Sequence, residues 1–275
     1  MTTPVPLAPD AGEGHGAALV LHGRSAHVLT AYDPAVRCLS PAERDRAARL
    51  APAARRDFTA AHLLIRRCAA AFLGVPAHAL DVVQRCERCQ GPHGRPILRQ
   101  EPRLYVTLAH CAGYVAAAAS WQPVGVDVER LPPGPGWHRA SARSLTRAEA
   151  AAVARAPCPP AAFLRQWVRK EALIKAGRAR LGGLRHVDLS GLPVDDPGGG
   201  RLVRRSWWQG WAVTDWADGT GGRGGRGARV DGGGYEPSPT AGVVGAAVTV
   251  RPPILLTVPG GGAPHLRHED RPVRS

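Results

Sequence analysis

Two segments of this chain carry the same helix-start signal. Glu43 stands three residues after Ser40, and Glu149 stands three residues after Thr146. Such a spacing predicts a capping box, in which the two side chains bond each other's backbone N–H groups at the start of a helix. Each box lies between a strand-like segment and a longer apolar helix, in the order 17–31, 39–50 and 56–74, and again in the order 124–129, 144–156 and 161–177.

The repeated order predicts two similar subdomains packed side by side. The alternative is that the repeated order is a coincidence, which any chain of mixed helices and strands can show. We place the boundary near residue 120, with a late strand at 242–250. The expected organisation is a flexible N-terminus, an N-terminal subdomain, a C-terminal subdomain with a Gly-rich insert, and a disordered tail, at 1–16, 17–120, 121–258 (insert 217–240) and 259–275.

Composition narrows the class of protein. Hydrophobic residues make up 44 % of the 275 residues, which is typical of a globular chain. We find no signal peptide and no apolar run long enough to span a bilayer, so we expect a cytoplasmic protein. The formal net charge of +14 suits nucleic acid, an anionic membrane, an acidic protein or a phosphate-rich ligand. The alternative is a surface loaded with arginine by a GC-rich genome.

The stretch PVGVDVER at 123–130 predicts a strand with two acids on one face. Side chains alternate along a strand, so Asp127 and Glu129 share a face and lie roughly 7 Å apart. Two carboxylates so placed repel each other unless a cation lies between them.

A third acid stands on the long helix at 161–177. Its apolar stripe, read at a period of 3.6 residues, includes position 171, which is Glu171. Lys175 lies one turn further on, and Lys170 is adjacent. One interpretation is an ordinary Glu–Lys surface pair. Considered with Asp127 and Glu129, however, the set is typical of a site for a hard divalent cation and a phosphate.

Taken in order, three segments resemble the motifs of 4′-phosphopantetheinyl transferases of the Sfp type. They are HGRPIL with VTLAHC (93–98 and 106–111), GVDVE (125–129) and WVRKEALIK (167–175). The resemblance covers roughly residues 18–257. It implies an α+β fold of two pseudo-symmetric subdomains, each a small sheet packed with helices, with coenzyme A in the cleft between them.

The resemblance also implies a reaction. Such enzymes transfer the phosphopantetheine arm of coenzyme A to a serine of a carrier protein and release adenosine 3′,5′-bisphosphate. It implies that Mg²⁺ is held by Asp127, Glu129 and Glu171, with Glu171 as the general base. Lys175 would bind the pyrophosphate with help from Lys170. The remaining coenzyme A contacts would come from His110, from Arg46 and from the loop residues Gly94, Arg95 and Pro96, with Arg55, Arg56 and Arg66 as further helpers.

Three positions of the strand before the cleft depart from the family pattern. Thr107 and Ala109 stand where relatives have Asn and Ser, and Cys111 replaces the following Ser. These positions support the phosphates in relatives, so one or two hydrogen bonds would be lost or supplied by backbone N–H groups. The departures put affinity for coenzyme A in question, but not the reaction.

The expected partner is an acidic acyl or peptidyl carrier protein of polyketide, non-ribosomal-peptide or fatty-acid synthesis, which a basic monomer would attract. Two rivals stay open: a basic nucleic-acid-binding protein, and another Mg²⁺-dependent phosphoryl transferase. The aromatic cluster SWWQGW at 206–211 is better explained as a strand packing against the sheet than as a base-stacking surface.

A zinc site is a separate alternative. Cys86, Cys89 and His93 have a spacing that suits three ligands, with His110 or Cys111 as a candidate fourth. Structural zinc sites normally need four ligands and the chain has no second C-x-x-C, so ordinary reduced cysteines are the favoured interpretation.

Overall fold

The computed structural model describes residues 16–31, 38–85, 89, 91, 94–130, 137–194, 203–218 and 242–260. The first half of the chain contains β1 (Leu19–Arg24), α1 (Ser25–Ala31), α2 (Pro41–Ala48), α3 (Pro52–Leu73), β2 (Val82–Gln84), β3 (Pro96–Leu98), β4 (Tyr105–Cys111) and β5 (Tyr114–Ser120). The second half contains β6 (Gly125–Arg130), α4 (Trp137–Ser144), α5 (Arg147–Arg155), α6 (Pro159–Lys175), β7 (Val203–Trp208), β8 (Trp211–Asp218), β9 (Val243–Thr249) and β10 (Ile254–Thr257).

The strands form two four-stranded sheets and a small β2–β3 ribbon. The strand orders are β10-β1-β5-β4 and β6-β9-β8-β7. In the first sheet β5 pairs antiparallel with both β1 and β4. In the second sheet β9 pairs antiparallel with both β6 and β8 in the same way. The predicted α+β architecture of two pseudo-symmetric halves is therefore confirmed.

The two sheets pack face to face, and a long helix covers each outer face. Val20 of β1, Ala118 of β5, Val126 of β6 and Trp216 of β8 belong to the apolar core between the sheets. The outer face of the first sheet packs against α3, and the outer face of the second packs against α6. Alternation along β6 therefore sends Val126 into the middle of the protein and Asp127 toward α6.

Both capping boxes are present, and in each the glutamate also pairs with a cation of the following long helix. Glu43 closes the box at Ser40 and accepts both terminal nitrogens of Arg66 on α3, at 3.0 and 2.7 Å. Glu149 closes the box at Thr146 and accepts the ammonium group of Lys170 on α6 at 2.6 Å. The repeated signal therefore marks a repeated tertiary contact.

Lys170 is a structural residue in this fold. Its side chain is fully buried, and its Nζ also lies 2.8 Å from the carbonyl oxygens of Ser144, Leu184 and Val187. A three-donor ammonium group so surrounded cannot also reach coenzyme A. Arg66 is equally buried, so neither residue keeps the ligand-binding role that the resemblance implied.

Some elements differ from the expectation. The segment 17–31 is one strand followed by α1. In the segment 206–211 the predicted strand is present as the end of β7, but it turns at Gln209 and Gly210 into β8. The turn residues Gln209 and Gly210 have φ of 47° and 80°, and Trp207 is 58 % exposed. The strand β10 pairs in parallel with β1, so the end of the chain returns to the first sheet.

Three of the predicted segments lie mostly outside the residues that the structure describes. The flexible N-terminus, most of the Gly-rich insert and most of the tail lie outside the described residues. Within the described ranges, no helix has the length and apolar character needed to cross a membrane.

The Lys170–Glu149 pair yields a first prediction. Lys170→Met should lower the free energy of unfolding by about 3–5 kcal/mol, because it leaves the Glu149 carboxylate buried without its cation. Chemical denaturation measures this loss. The double variant Lys170→Met/Glu149→Gln should recover much of it. A single variant as stable as wild type would show that the pair does not hold α5 against α6.

Candidate active site

The site is built where β6 touches α6. A methyl group on Gly125 would lie 1.9 Å from the carbonyl oxygen of Ala172, a distance that no side chain can adopt. Only glycine lets the strand approach the helix backbone so closely. Because side chains alternate along β6, Asp127 and Glu129 follow on this same face.

Lys175 links the two halves of the molecule at this point. Its Nζ donates to Oδ1 of Asp127 at 2.8 Å and to the carbonyl oxygen of Leu108 on β4 at 3.3 Å. Asp127 is buried, with 6 % of its surface exposed, and its Oδ2 has no hydrogen-bond partner within the described part of the chain. A buried carboxylate oxygen without a donor is costly, so this atom is poised to accept a cation.

The three predicted acids all have raised pKa values, and the charge of Asp127 contributes to the shift of the other two. Burial and the neighbouring carboxylates of Asp127 and Glu171 raise the pKa of Glu129 to about 7, against the opposing effect of Lys175. Burial also raises the pKa of Asp127, and burial with the charge of Asp127 raises that of Glu171. One ammonium group does not neutralise three carboxylates.

This donor set fits a hard divalent cation, which prefers carboxylate oxygens. The described residues contain no three acidic, histidine or cysteine side chains already arranged around one point. Asp127 is bound to Lys175 in this structure. The carboxylates would therefore have to turn from their present partners to hold a metal ion together.

Glu171 lies on the predicted stripe of α6 with Trp167 and Ile174, but that stripe does not face the core. Glu171 is half-buried, as are Trp167, Ile174 and Lys175, whereas its neighbour Lys170 is fully buried. The stripe that includes Glu171 therefore borders the cleft and does not point into the core. The exposure suits a residue that must meet a substrate.

His110 stands on β4, two residues after Leu108, whose carbonyl oxygen accepts from Lys175. Desolvation of the His110 ring on β4 lowers its pKa, and the charges of Lys175, Arg46 and His62 lower it further, against the opposing effect of Asp57. The thiol of Cys111 stays neutral, because burial and the charge of Glu129 raise its pKa to about 12. A phosphate beside His110 would be attracted by the charges of Lys175 and Arg46, because the lowered pKa leaves the ring itself neutral at neutral pH.

The predicted nucleotide-binding residues lie on the first half of the chain. Arg46 lines a cavity of about 490 Å³ with Phe58, His62 and β2, and its guanidinium carbon is 5.2 Å from the Phe58 ring centroid. The G-R-P loop lies at β3. There Arg95 stacks over the Tyr105 ring at 4.4 Å, the carbonyl oxygen of Gly94 accepts from Gln84 at 3.0 Å, and Pro96 pairs with Gln84.

Two arginines that were predicted as further coenzyme A contacts lie outside this region. Arg55 donates to three carbonyl oxygens at the end of α2 (Ala47, Ala48 and Leu50), and Arg56 lines a different cavity. Of the predicted zinc ligands, Cys86 and His93 lie outside the described residues, while Cys89 is exposed.

Sequence reasoning missed His62 and Asp57. His62 is buried and its Nδ1 lies 2.6 Å from Glu43, while Asp57 accepts from Ser25 and from the N–H of Gly113. The signal for His62 was its place four residues before Arg66 on α3, which puts both on the face that meets the capping-box glutamate.

Comparison with known families agrees with this geometry. A family model described as the 4′-phosphopantetheinyl transferase superfamily matches residues 123–223. The match contains Asp127, Glu129, Glu171 and Lys175. It indicates a 4′-phosphopantetheinyl transferase, and therefore a transferase enzyme. No curated protein matches the chain in a sequence search.

Crowding of the three acids yields a second prediction. Below pH 4.5 Glu129 is protonated in both the folded and the unfolded chain. Between pH 4.5 and about 7 the folded state retains a proton that the unfolded state has lost. Stability of the metal-free protein should therefore fall over this window as pH rises. The fall should be smaller in Glu129→Gln, as thermal unfolding across pH 4–8 would show.

The matched control is Glu101→Gln, outside the cleft, which should follow the wild-type profile. Addition of Mg²⁺ at pH 7.5 should raise the unfolding temperature of the wild type and raise that of Glu129→Gln less. Identical pH profiles for wild type and Glu129→Gln would contradict the crowded acid site.

Proposed function

We propose that this protein is an Sfp-type enzyme that transfers the 4′-phosphopantetheine arm of coenzyme A to a serine of an acyl or peptidyl carrier protein. The observation that carries the proposal is the buried Oδ2 of Asp127, which has no partner within the described residues while Oδ1 accepts from Lys175. The charge of Asp127 also raises the pKa of Glu129 and Glu171, so all three acids share one neighbourhood. A metal–pyrophosphate complex supplies both the cation and the anion that these groups lack.

In this mechanism the carrier serine Oγ forms a bond to the phosphorus that bears the pantetheine arm. The bond from that phosphorus to the oxygen of adenosine 3′,5′-bisphosphate breaks, and the bisphosphate leaves. The serine proton passes to Glu171, whose basicity is increased because burial and the charge of Asp127 raise its pKa. Its place on the half-exposed face of α6 gives an incoming protein access to it.

Asp127, Glu129 and Glu171 would hold Mg²⁺, which would polarise the phosphoryl oxygens when bound. Lys175 now donates to Asp127 and to the Leu108 carbonyl oxygen. If Asp127 held the metal ion, the Lys175 ammonium group would be free to bind the pyrophosphate. Lys170 has no part in this scheme because its donors are used inside the second half.

The nucleotide end of coenzyme A would lie on the first half of the chain. Arg46 and Arg95 would hold the adenosine and its 3′-phosphate, with Gly94 and Pro96 shaping the loop. His110 would contact the phosphates between this region and Lys175. The cationic surroundings that lower the pKa of His110 would also attract these phosphates.

We further propose a cytoplasmic monomer that acts on acidic carriers. Both walls of the cleft come from one chain, so no second copy is needed to complete the site. A net charge of +14 favours encounter with an acidic partner.

Intact-mass spectrometry tests the proposal directly. Purified apo-carrier proteins of the polyketide, non-ribosomal-peptide and fatty-acid classes are incubated with the enzyme, coenzyme A and Mg²⁺. At least one should gain the mass of one phosphopantetheine, and EDTA should abolish the gain. A rate unchanged by EDTA would show that the reaction needs no metal ion. No mass gain with any class of carrier would contradict the proposed reaction and favour the two alternatives, another phosphoryl transferase or a nucleic-acid-binding protein.

Asp127→Asn should lower the transfer rate by at least about 100-fold, because it removes the charge on the most buried proposed ligand. The same mass assay, run as a time course, measures the rate. Asp45→Asn on the exposed face of α2 is the matched control and should retain the wild-type rate. Near-normal transfer by Asp127→Asn would exclude the acid group from the reaction.

A further inference from the structure

A second cavity lies at the end of the sandwich where β1 and β6 finish. Its volume is about 460 Å³, and Arg24, Arg56 and Arg130 line it together with Asp57 and Asp218. It does not share a lining residue with the cavity around Arg46. The mechanism above leaves it without a role.

The cavity lies at the junction of the two halves. Arg24 is the last residue of β1 and Arg130 the last residue of β6, and these six-residue strands are equivalent in the two sheets. Arg130 Nε donates to the carbonyl oxygen of Ala112 at 3.1 Å, across the gap between the sheets. The repeat therefore brings two equivalent arginines to one opening.

The buried acid of the cavity is already satisfied. Oδ1 of Asp57 accepts from Ser25 Oγ at 2.6 Å, and both of its carboxylate oxygens accept from the N–H of Gly113 at 3.1 Å. Asp57 thereby fixes the β4–β5 turn against α3. The three arginines are exposed, so the charges that an incoming molecule meets first are positive.

We propose that this cavity receives acidic side chains of the carrier protein and so docks it beside the catalytic acids. The inference rests on the proposed function. Arg130 directly follows Glu129 on β6 and projects from the opposite face of the strand, so a protein held there lies one strand position from Glu129. The pantetheine arm is uncharged and gains little from three guanidinium groups, whereas carboxylates pair with them well.

The test is steady-state transfer kinetics with the double variant Arg24→Glu/Arg56→Glu. Its KM for the apo-carrier should rise roughly tenfold or more, while its KM for coenzyme A stays within about twofold of wild type. Arg130 is left unchanged because it adjoins Glu129. Thermal unfolding confirms that the variant is folded.

The matched control is Arg185→Glu/Arg205→Glu, two exposed arginines outside the cavity that give the same change in net charge. Its KM for the carrier should rise much less. An equal rise of the carrier KM in both double variants would show only a general attraction between opposite charges and would overturn the inference. A raised KM for coenzyme A in Arg24→Glu/Arg56→Glu would overturn it as well. Failure of the wild type to transfer at all would instead overturn the proposed function.

Discussion

The Lys175 ammonium group connects two edges that do not pair with each other. On one side is the buried carboxylate of Asp127 on β6, and on the other is the Leu108 carbonyl oxygen on β4. Both are edge strands of their sheets, β4 of the first and β6 of the second. A side chain joins the two edges here in place of a ladder of backbone hydrogen bonds, and a ligand can displace one ammonium group more readily than a ladder.

Among the described residues the acids of β6 have no counterpart on β1, the equivalent strand of the first half. Positions three and five of β6 are Asp127 and Glu129, whereas the same positions of β1 are Leu21 and Gly23. Leu21 belongs to the apolar core under α3. The free edge of β1 is also taken by β10, and Val258 lies 3.1 Å from where a Gly23 side chain would begin. The first half lacks both the acids and the open edge.

Local signals in the sequence were sufficient for the capping boxes, since both hydrogen bonds join residues three positions apart. The same reasoning was insufficient for α6, because that helix is buried on most of its circumference. Arg165 and Arg169 are buried too, where they pair with Asp215 of β8. A search for one apolar stripe therefore placed Glu171 inward and Lys170 in the cleft. Lys170, and not Glu171, is buried because it pairs with Glu149 in the capping box of α5. That contact joins residues 21 positions apart, so a local pattern does not show it.

The departures from the family pattern on β4 have a structural meaning that the sequence alone did not show. Thr107 and Ala109 are buried on the face of β4 that meets the second sheet, while Leu108 packs on the opposite face. Neither residue has a side chain exposed toward a ligand. What β4 presents to Lys175 is its backbone edge, through the Leu108 carbonyl oxygen.

Along an edge strand, the N–H and C=O of alternate residues point to the same side. The residue two positions after Leu108 is His110, so its backbone N–H faces the cleft as the Leu108 carbonyl oxygen does. A phosphate seated beside Lys175 would meet that N–H, together with the cationic surroundings of the His110 ring. A backbone donor therefore faces the same side as the Leu108 carbonyl oxygen, whatever side chains stand at positions 107 and 109.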